Sequence, residues 1–569
     1  MGLQRTRTMF RSMLTRREWL RRGGLSAVAL TMGNKLTEIA VEASPSGESP
    51  KEPLLKRLIE TGMDNMLRWA LGRMAKISPE AAVQRGEGRP ADAPHNVGRA
   101  IDALLFGEAV MGKRIPPRAE ETLRQHLFAT LDNPTHLNGR FVPEAGRFLV
   151  HAHHVREAVL ALTALIRYRN DDQARKLAHK VLDSLFRLTR PDGTFDADEV
   201  AKHPSMVEGW PSYGGRFREQ IEEAGKTQTI ACNTRGRMIM ALCKYYRVTQ
   251  EDRALELADR FVRLVRRKSF TPEGKIQPTE QGHTHSITGT VHGLIDFGLL
   301  ASDREVFEHG RRIFDVGLPA VSSSFGWSME NAWGDDSPPR PWRGEVNNTG
   351  DMVQAALWLG RSGLPQYFED AERRIRSHIV PSQCTDDGWG VPAPSDREGG
   401  SGTASILDIT AGAVQALCET AETLVTQEDK CQSVNLPFST WKGPVRVQSS
   451  LPEKWQLEVT PEAAGNLRVR IPSWAERERV HVTVDGQQRP GAFEDTWLVL
   501  EGVAAGQTVN ISLPLVEREV TEAIKDRNYR VLWRGDQVVA MSPAGEVEPM
   551  YPSVEEYRAA SAQQGARDG

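Results

Sequence analysis

Apolar positions recur at helical spacing from Leu54 onward, through Leu54–Met74 and Val97–Met111, and Pro116-Pro117 opens a further helix because proline is tolerated in a first helical turn. Phe148–Arg167 is strongly apolar and reads as one helix, with Asp171–Leu188 returning antiparallel after the Asn170-Asp171-Asp172 turn. The arrangement then repeats. Thr234–Tyr246 pairs with Arg253–Arg266, His285–Leu300 with Arg304–Val316, and Asp351–Leu359 with Gln366–Ile379, while Thr410–Leu424 is the last strong helix. A helical hairpin therefore recurs roughly every 50 to 60 residues, which is the mark of a repeat architecture. Connections inside a pair are short and polar, whereas the links between pairs are long and hold Trp, His, Gly and acids. The spacing predicts a mainly α chain built on an (α/α)6 toroid of about six hairpins, with the long links gathered at one rim and function carried on them.

Near Pro437 the period shortens to two. Val445–Ser449, Trp455–Val459, Leu467–Ile471, Val480–Val484, Trp497–Leu500 and Thr508–Leu513 are short alternating segments punctuated by turns such as Asp485-Gly486. They predict a small antiparallel β-sandwich. The expected organisation is a toroid over 54–434 carrying any catalysis, a sandwich domain over 435–545, and a polar, frayed tail over 546–569.

The first residues stand outside this fold. Thr15-Arg16-Arg17-Glu18-Trp19-Leu20-Arg21 precedes the modestly apolar run Gly23–Met32 and the small residues Ala40 and Ala43, the layout of a twin-arginine export signal over 1–43, followed by a Ser/Pro-rich linker over 44–53. The apolar run is shorter than the roughly 20 residues a membrane span needs. A periplasmic or extracellular protein with no membrane attachment in its mature form is expected. The balance of 72 basic and 75 acidic residues argues against nucleic acid as a partner. Five widely spaced cysteines without a CxxC indicate neither a disulfide scaffold nor a zinc ribbon, and Cys243 and Cys418 fall in apolar helical runs.

The densest chemistry lies in Ser324–Glu345, SFGWSMENAWGDDSPPRPWRGE, where Trp327, Trp333 and Trp342 alternate with Glu330, Asp335, Asp336 and Glu345. Aromatic plates beside carboxylates suit a sugar cleft, and tryptophans plugging a core are the alternative.

Further strings carry a resemblance. Leu467-Arg468-Val469-Arg470-Ile471-Pro472-Ser473-Trp474-Ala475 resembles the LRIPxWA strand of the bacterial β-L-arabinofuranosidase-like glycoside hydrolases, family 127 and its relatives. Val482–Gly486 and Gly506–Pro514 resemble that family's following V-x-V-N-G and GDxVxLxLPM strings. Gly344–Thr349 with Tyr367, Glu372-Arg373 and His378 resembles its E-x-C-N-T…Y…ER…NH stretch, and Gly282-His283 its GHA helix start. The resemblance spans roughly Gly146 to Pro514 and implies a toroid-plus-sandwich glycosidase. It implies Glu330 as the acid/base, and a zinc-bound thiolate nucleophile held by a Cys-Cys pair, the E-x-C cysteine and its glutamate. Here the glutamate is kept as Glu345, but Asn347 stands for the cysteine and Asp408-Ile409 for the pair. A zinc-thiolate site is therefore not expected. No cofactor is expected, a hard ion such as Ca²⁺ or Mg²⁺ at Glu345, Asn347 and Asp408 being the minor alternative.

What remains is two-carboxylate chemistry, with Glu330 as general acid and Asp408 or Glu345 as nucleophile or base, and with Asp335 and Asp336 in reserve. Capping of the next helix is the competing role for Glu345. Trp327, Trp333, Asn347, His283 and His285 are candidate substrate-binding residues, as is His154 from the VHAHHVRE run with His151 and His153. Structural histidines are the alternative. Arg237, with Arg235 close by, opens a helix where it is placed to pair a carboxylate or sulfate on an acidic glycan, an exposed helix-start arginine being the other reading. An exported glycoside hydrolase acting on plant or algal polysaccharide fragments is the expected function. A polysaccharide lyase on uronate-containing glycans and a catalytically lapsed carbohydrate-binding protein are the alternatives, and the oligomeric state is open.

Overall fold

The structure, a computed structural model, describes residues 52–84, 93–142, 147–151, 154–196, 199, 206–207, 230–280, 282–333, 343–399 and 403–568. The expected export signal and nearly all of the linker, and Asp335, Asp336, Trp342 and His153, lie outside the described residues.

Among the described residues twelve helices form the toroid: α1 (Leu54–Gly72), α2 (Ala93–Met111), α3 (Pro117–Leu131), α4 (Val155–Arg169), α5 (Asp172–Leu188), α6 (Arg237–Thr249), α7 (Asp252–Lys268), α8 (Thr284–Leu300), α9 (Arg304–Arg312), α10 (Val346–Arg361), α11 (Gln366–Arg374) and α12 (Leu407–Thr423). The even-numbered helices pack in succession around a ring, and α12 closes it against α2. Each odd-numbered helix lies outside an inner partner, with α1 against α12. Composition explains the two layers. Inner α8 is buried from Thr284 through Gly298, whereas outer α7 buries only a stripe including Leu257, Phe261 and Val265 and keeps its charged face in water. Where α10 meets α12, Gly412 lies directly against Asn347, and a Cβ there would collide with the Asn347 side-chain amide.

All six inner helices run the same way around the ring, so their N-termini gather at one rim. That polarity gives the rim the positive ends of six helix dipoles, a setting suited to acids and anions.

Within the toroid, β1 (Gly139–Val142), β2 (Arg147–His151) and β3 (Met206–Val207) form a small sheet. The strands of the sandwich are β4 (Val425–Glu428), β5 (Cys431–Val434), β6 (Val445–Ser449), β7 (Trp455–Pro461), β8 (Gly465–Arg470), β9 (His481–Val484), β10 (Gln487–Gln488), β11 (Ala492–Glu494), β12 (Trp497–Val503) and β13 (Val509–Leu513). They make two five-stranded sheets, ordered β10-β9-β13-β7-β6 and β11-β12-β8-β5-β4. Alternate residues such as Val445, Val447, Leu457, Val459, Leu467, Val469 and Ile511 fill its core. The pairing is antiparallel except for β5 against β8. The LRVRIPSWA string, Leu467–Ala475, clips the sandwich to the toroid. Buried Arg470 pairs with Glu372 on α11 and donates to the Asn435 carbonyl, and Ser473 donates to Glu369 through both its backbone N–H (2.7 Å) and its hydroxyl (2.7 Å).

Three expectations change. The front of Phe148–Arg167 is strand β2 (Arg147–His151), paired with β1 (Gly139–Val142), because the Phe-Leu-Val run joins a hairpin before α4 begins. A further meander, β14 (Glu517–Ile524), β15 (Arg527–Arg534) and β16 (Gln537–Ser542), follows the sandwich. The tail expected to be frayed forms α13 (Val554–Asp568), which packs on β16 with Val554 buried. Ser553 and Glu556 build a capping box at its start, Glu556 N–H donating to the Ser553 hydroxyl (3.2 Å) and Ser553 N–H to the Glu556 carboxylate (2.8 Å).

Candidate active site

The loop leading to α10 is stitched in place by backbone pairing. Thr284 N–H donates to the Glu330 carbonyl (3.0 Å) and Glu330 N–H to the Arg343 carbonyl (2.9 Å), while His283 bridges Asn331 and Met329 bridges Gly344. These bonds set Glu330 between the start of α8 and the approach to α10. The segment at Trp389 ties in the third element: Gly344 N–H donates to Pro392 O (3.0 Å), and Ile406 N–H, one residue before α12, donates to Trp389 O (2.9 Å). Glu330, Glu345 and Asp408 are brought together as a result, and the charges of Glu330 and Asp408 both act on Glu345.

The three carboxyls differ in environment. Glu345 is buried, and burial followed by the charges of Glu330 and Asp408 pushes its pKa up to about 8, against a smaller opposing pull from Arg343 and Arg99. It occupies the N-cap position of α10 but makes no capping hydrogen bond, so the capping role is not taken up. Glu330 is ion-paired to Arg343 (2.6 Å) and remains 31 % exposed, open to a ligand. Asp408, in the first turn of α12, lies 3.6 Å from Arg99 Nη1 and 3.8 Å from His95 Nε2.

Arg99, 1 % exposed, links five of the inner helices. From α2 its Nη1 donates to the Asp408 carbonyl on α12 (2.9 Å), its Nε faces Glu157 on α4 (3.2 Å), and its Nη2 meets His285 Nε2 on α8 (2.5 Å). With the Asn347 amide turned to its hydrogen-bonding orientation, the Asn347 oxygen on α10 accepts from Arg99 Nη1 (3.2 Å) and its nitrogen donates to Asp408 O (3.3 Å). His285 Nδ1 lies 2.8 Å from Asp351, and its Nε2 faces Arg156 (3.2 Å) and Arg237 (3.0 Å) as well as Arg99. Nε2 must accept from guanidinium, so the ring is neutral with its proton on Nδ1, consistent with a pKa driven well below the ordinary value by burial and by the charges of Arg237 and Arg99. Burial also lifts Asp351 to about 6. Glu157, wholly buried, is nonetheless held below its ordinary range because Arg156, Arg99 and Arg237 outweigh the cost of burial.

The other expected residues divide. His154 stacks on His95 (centroids 4.9 Å), and His283 sits edge-on to His285 (6.2 Å) with its Nδ1 against the Ser286 hydroxyl (2.6 Å). Trp333 stands at the rim, 45 % exposed, its indole N–H donating to Glu280 O (2.6 Å) and its ring lying over Gly282, whose φ of 92° and lack of a Cβ permit that contact. Trp327 is not a sugar platform. It is 2 % exposed, donates to Pro392 O (2.8 Å), and packs with Phe325 and Met329 against Tyr529, Val531 and Trp533 of the meander. Arg237 is buried among Glu157 and His285 rather than exposed, while Arg235 is stacked on Phe195 (3.8 Å).

His95, Arg99, Arg156, Glu157, Arg343 and Asp351 were not singled out by the sequence reading. For all but Arg343, which lies in the loop before α10, the signal was present: charged or imidazole side chains in the first turns of apolar inner helices, as in Arg156-Glu157 ahead of VLALTALI. Such positions are expensive unless the side chains pair with one another.

The zinc set implied by the resemblance does not fit these residues. Ile409 is buried and apolar, Asn347 is engaged by Arg99 and Asp408, and the Arg99 guanidinium lies 3.6 Å from the Asp408 carboxylate. The same cation stands against a hard ion at Glu345, Asn347 and Asp408. Burial pushes the thiols of Cys232, Cys243 and Cys418 well up, and that of Cys384 to about 12, the opposite of a poised thiolate. Among the described residues no group of three or more His, Cys, Asp or Glu side chains could hold a metal ion.

The (α/α)6 toroid fold is shared with solved glycoside hydrolases. A GH127 β-L-arabinofuranosidase from Geobacillus stearothermophilus T6 is similar with a TM-score of 0.57 at 14% identity, over 86% of this chain and 85% of that one. A second GH127 β-arabinofuranosidase gives a TM-score of 0.59 at 13% identity over 86% and 83% of the two chains, and a further glycoside hydrolase 0.54 at 13% over 84% and 80%. At these identities the likeness is one of fold. No protein-family model matches the sequence, and no curated relative matches it.

Proposed function

We propose that the protein is a glycoside hydrolase acting on plant or algal polysaccharide fragments by carboxylate chemistry without zinc. The observation that carries this is the asymmetry of the acid cluster: Glu345 keeps a proton at neutral pH, beside Glu330, which is ion-paired to Arg343, and Asp408, which faces Arg99. A glycosidic oxygen needs one proton and the forming oxocarbenium one negative charge, which such a set can supply. Glu345 then donates the proton to the leaving oxygen, in place of the acid role expected for Glu330. Glu330 or Asp408 attacks the anomeric carbon or draws the proton from a water that does, and His283 and Trp333 contact the sugar at the rim.

The test is release of reducing sugar from a fragment panel. Glu330→Gln, Asp408→Asn and Glu345→Gln should each lose nearly all turnover with the fold intact, and azide should give a glycosyl azide of inverted configuration in the variant lacking a nucleophile and of retained configuration in the variant lacking the acid. Undiminished activity in Glu345→Gln sinks the assignment. A lyase is the second reading, because Arg156 and Arg237 beside His285 resemble what β-elimination of a uronate requires. An absorbing unsaturated product would establish it in place of hydrolysis. Thr15–Arg21 supports export by the twin-arginine route to the periplasm or beyond. Appearance of the mature protein outside the cytoplasm, lost on Arg16→Lys with Arg17→Lys, tests that.

A further inference from the structure

We propose that the rim selects an anionic sugar, one bearing a carboxylate or sulfate, through Arg156 and Arg237. The proposal rests on the reading of this rim as a glycan site and narrows its substrate class. Arg156, 3 % exposed, and Arg237, 2 % exposed, come from adjacent inner helices and face the same imidazole nitrogen of His285 (3.2 and 3.0 Å). They also face the same oxygen of Glu157, at 3.7 and 3.1 Å, which Arg99 approaches to 3.2 Å. Three guanidiniums thus share one carboxylate oxygen and one imidazole acceptor.

The remaining acids form no ion pair with Arg156 or Arg237, and Asp351 reaches both only through the longer-range pull of its charge. Asp408 lies within ion-pair reach of Arg99 alone among these arginines, and Asp351 is bonded to His285 (2.8 Å) and Thr288 (2.8 Å). Nε of Arg156 and of Arg237 has no hydrogen-bond partner among the described residues. Guanidinium cannot shed its proton to relieve such a shortage, so buried donors of this kind call for a further anion. In support, burial and the neighbouring Arg156 charge depress Arg237 to about 9, the direction expected of a cation with too little negative charge around it. The N-termini of the inner helices add positive potential of the same sign. A carboxylate or sulfate on the sugar offers planar or tetrahedral oxygens to two forks at once, whereas a neutral hydroxyl offers one weak acceptor.

The experiment uses the full-length protein and affinity electrophoresis through gels holding uronate-bearing or sulfated plant and algal polysaccharides. Each is paired with its own carboxyl-reduced or desulfated form, so that linkage and stereochemistry stay fixed. At least one acidic member is expected to retard the protein about 100-fold more strongly than its neutral partner. Arg237→Gln and Arg156→Gln should erase that difference, and Arg237→Lys should keep part of it. Equal retardation by neutral forms, no retardation by any acidic member, or variants that retain the preference would each overturn the proposal. Should a glutamine variant fail to fold, the paired comparison on the wild-type protein decides alone. The two readings fail separately. Equal hydrolysis of neutral forms removes the anion preference and leaves the hydrolase, while acid-selective binding with no product does the reverse.

Discussion

Replacing Glu345 with glutamine should remove activity and stabilise the protein at alkaline pH. The glutamate's pKa rises from an ordinary 4.5 to about 8 in the folded chain. Between those values the native state holds a proton that the unfolded state has released, so stability falls as pH rises through the window and levels off above about 8. That gap sets a ceiling of about 5 kcal/mol on the cost of ionising Glu345 in place. Local relaxation and the shared response of Glu330 and Asp408 reduce this to about 1–3 kcal/mol of measurable difference. Glutamine has the shape of the protonated acid but cannot ionise, so Glu345→Gln is freed from the cost. Its melting temperature should match wild type near pH 5 and exceed it by about 2–4 °C near pH 9. Turnover, followed as reducing sugar over the same pH range, should fall by about 10²–10⁴ with loss of the proton donor. In the wild type it should decline as pH passes through 8. A variant whose stability tracks wild type across the whole range, or a wild-type rate still rising above pH 9, would show that Glu345 is an ordinary carboxylate and would refute its role as acid.

The two described tryptophans of the loop should behave oppositely. Trp327→Ala, which empties a site between the loop and the meander, should cost about 3–5 kcal/mol in denaturant melts, whereas Trp333→Ala should leave the melt unchanged and raise KM for any glycan cleaved. Arg99→Met strips a buried cation from Asp408, Glu157, Asn347 and His285, and should destabilise by about 3–5 kcal/mol. Arg99→Lys should recover part of that stability but not the forked geometry, so turnover by the folded lysine variant at the wild-type rate would count against Arg99 as the residue that positions Asp408. Exhaustive chelation should leave both turnover and melting temperature unchanged, and activity that is lost on chelation and restored by a divalent ion would overturn the account of Arg99 as the fixed cation of this site.

What could be read in the sequence tracks how local the determining physics is. Hairpin periodicity and period-two alternation depend on neighbours along the chain, so the toroid and sandwich were legible. The capping box at Ser553 and Glu556 was just as local and was passed over because its helix is polar on most faces. Trp327 and Trp333 look alike in sequence, both following a small polar or apolar residue in one loop, and only the meander about 200 residues on separates a core plug from a rim aromatic. The arginine cluster is the most instructive failure. Arg237 was left between a sugar-facing and an exposed helix-start reading, and a third possibility, burial, is prohibitive for a lone guanidinium. Arg99, Arg156 and Arg237 are buried only because Glu157, Asp351 and Asp408 arrive from three different helices to meet them. The informative signal was therefore the count of charges on positions that periodicity had already assigned to the inner ring. Charges of both signs recurring at the starts of successive inner helices have nowhere to go except toward one another, and a rim that collects them is where a polar ligand is to be expected.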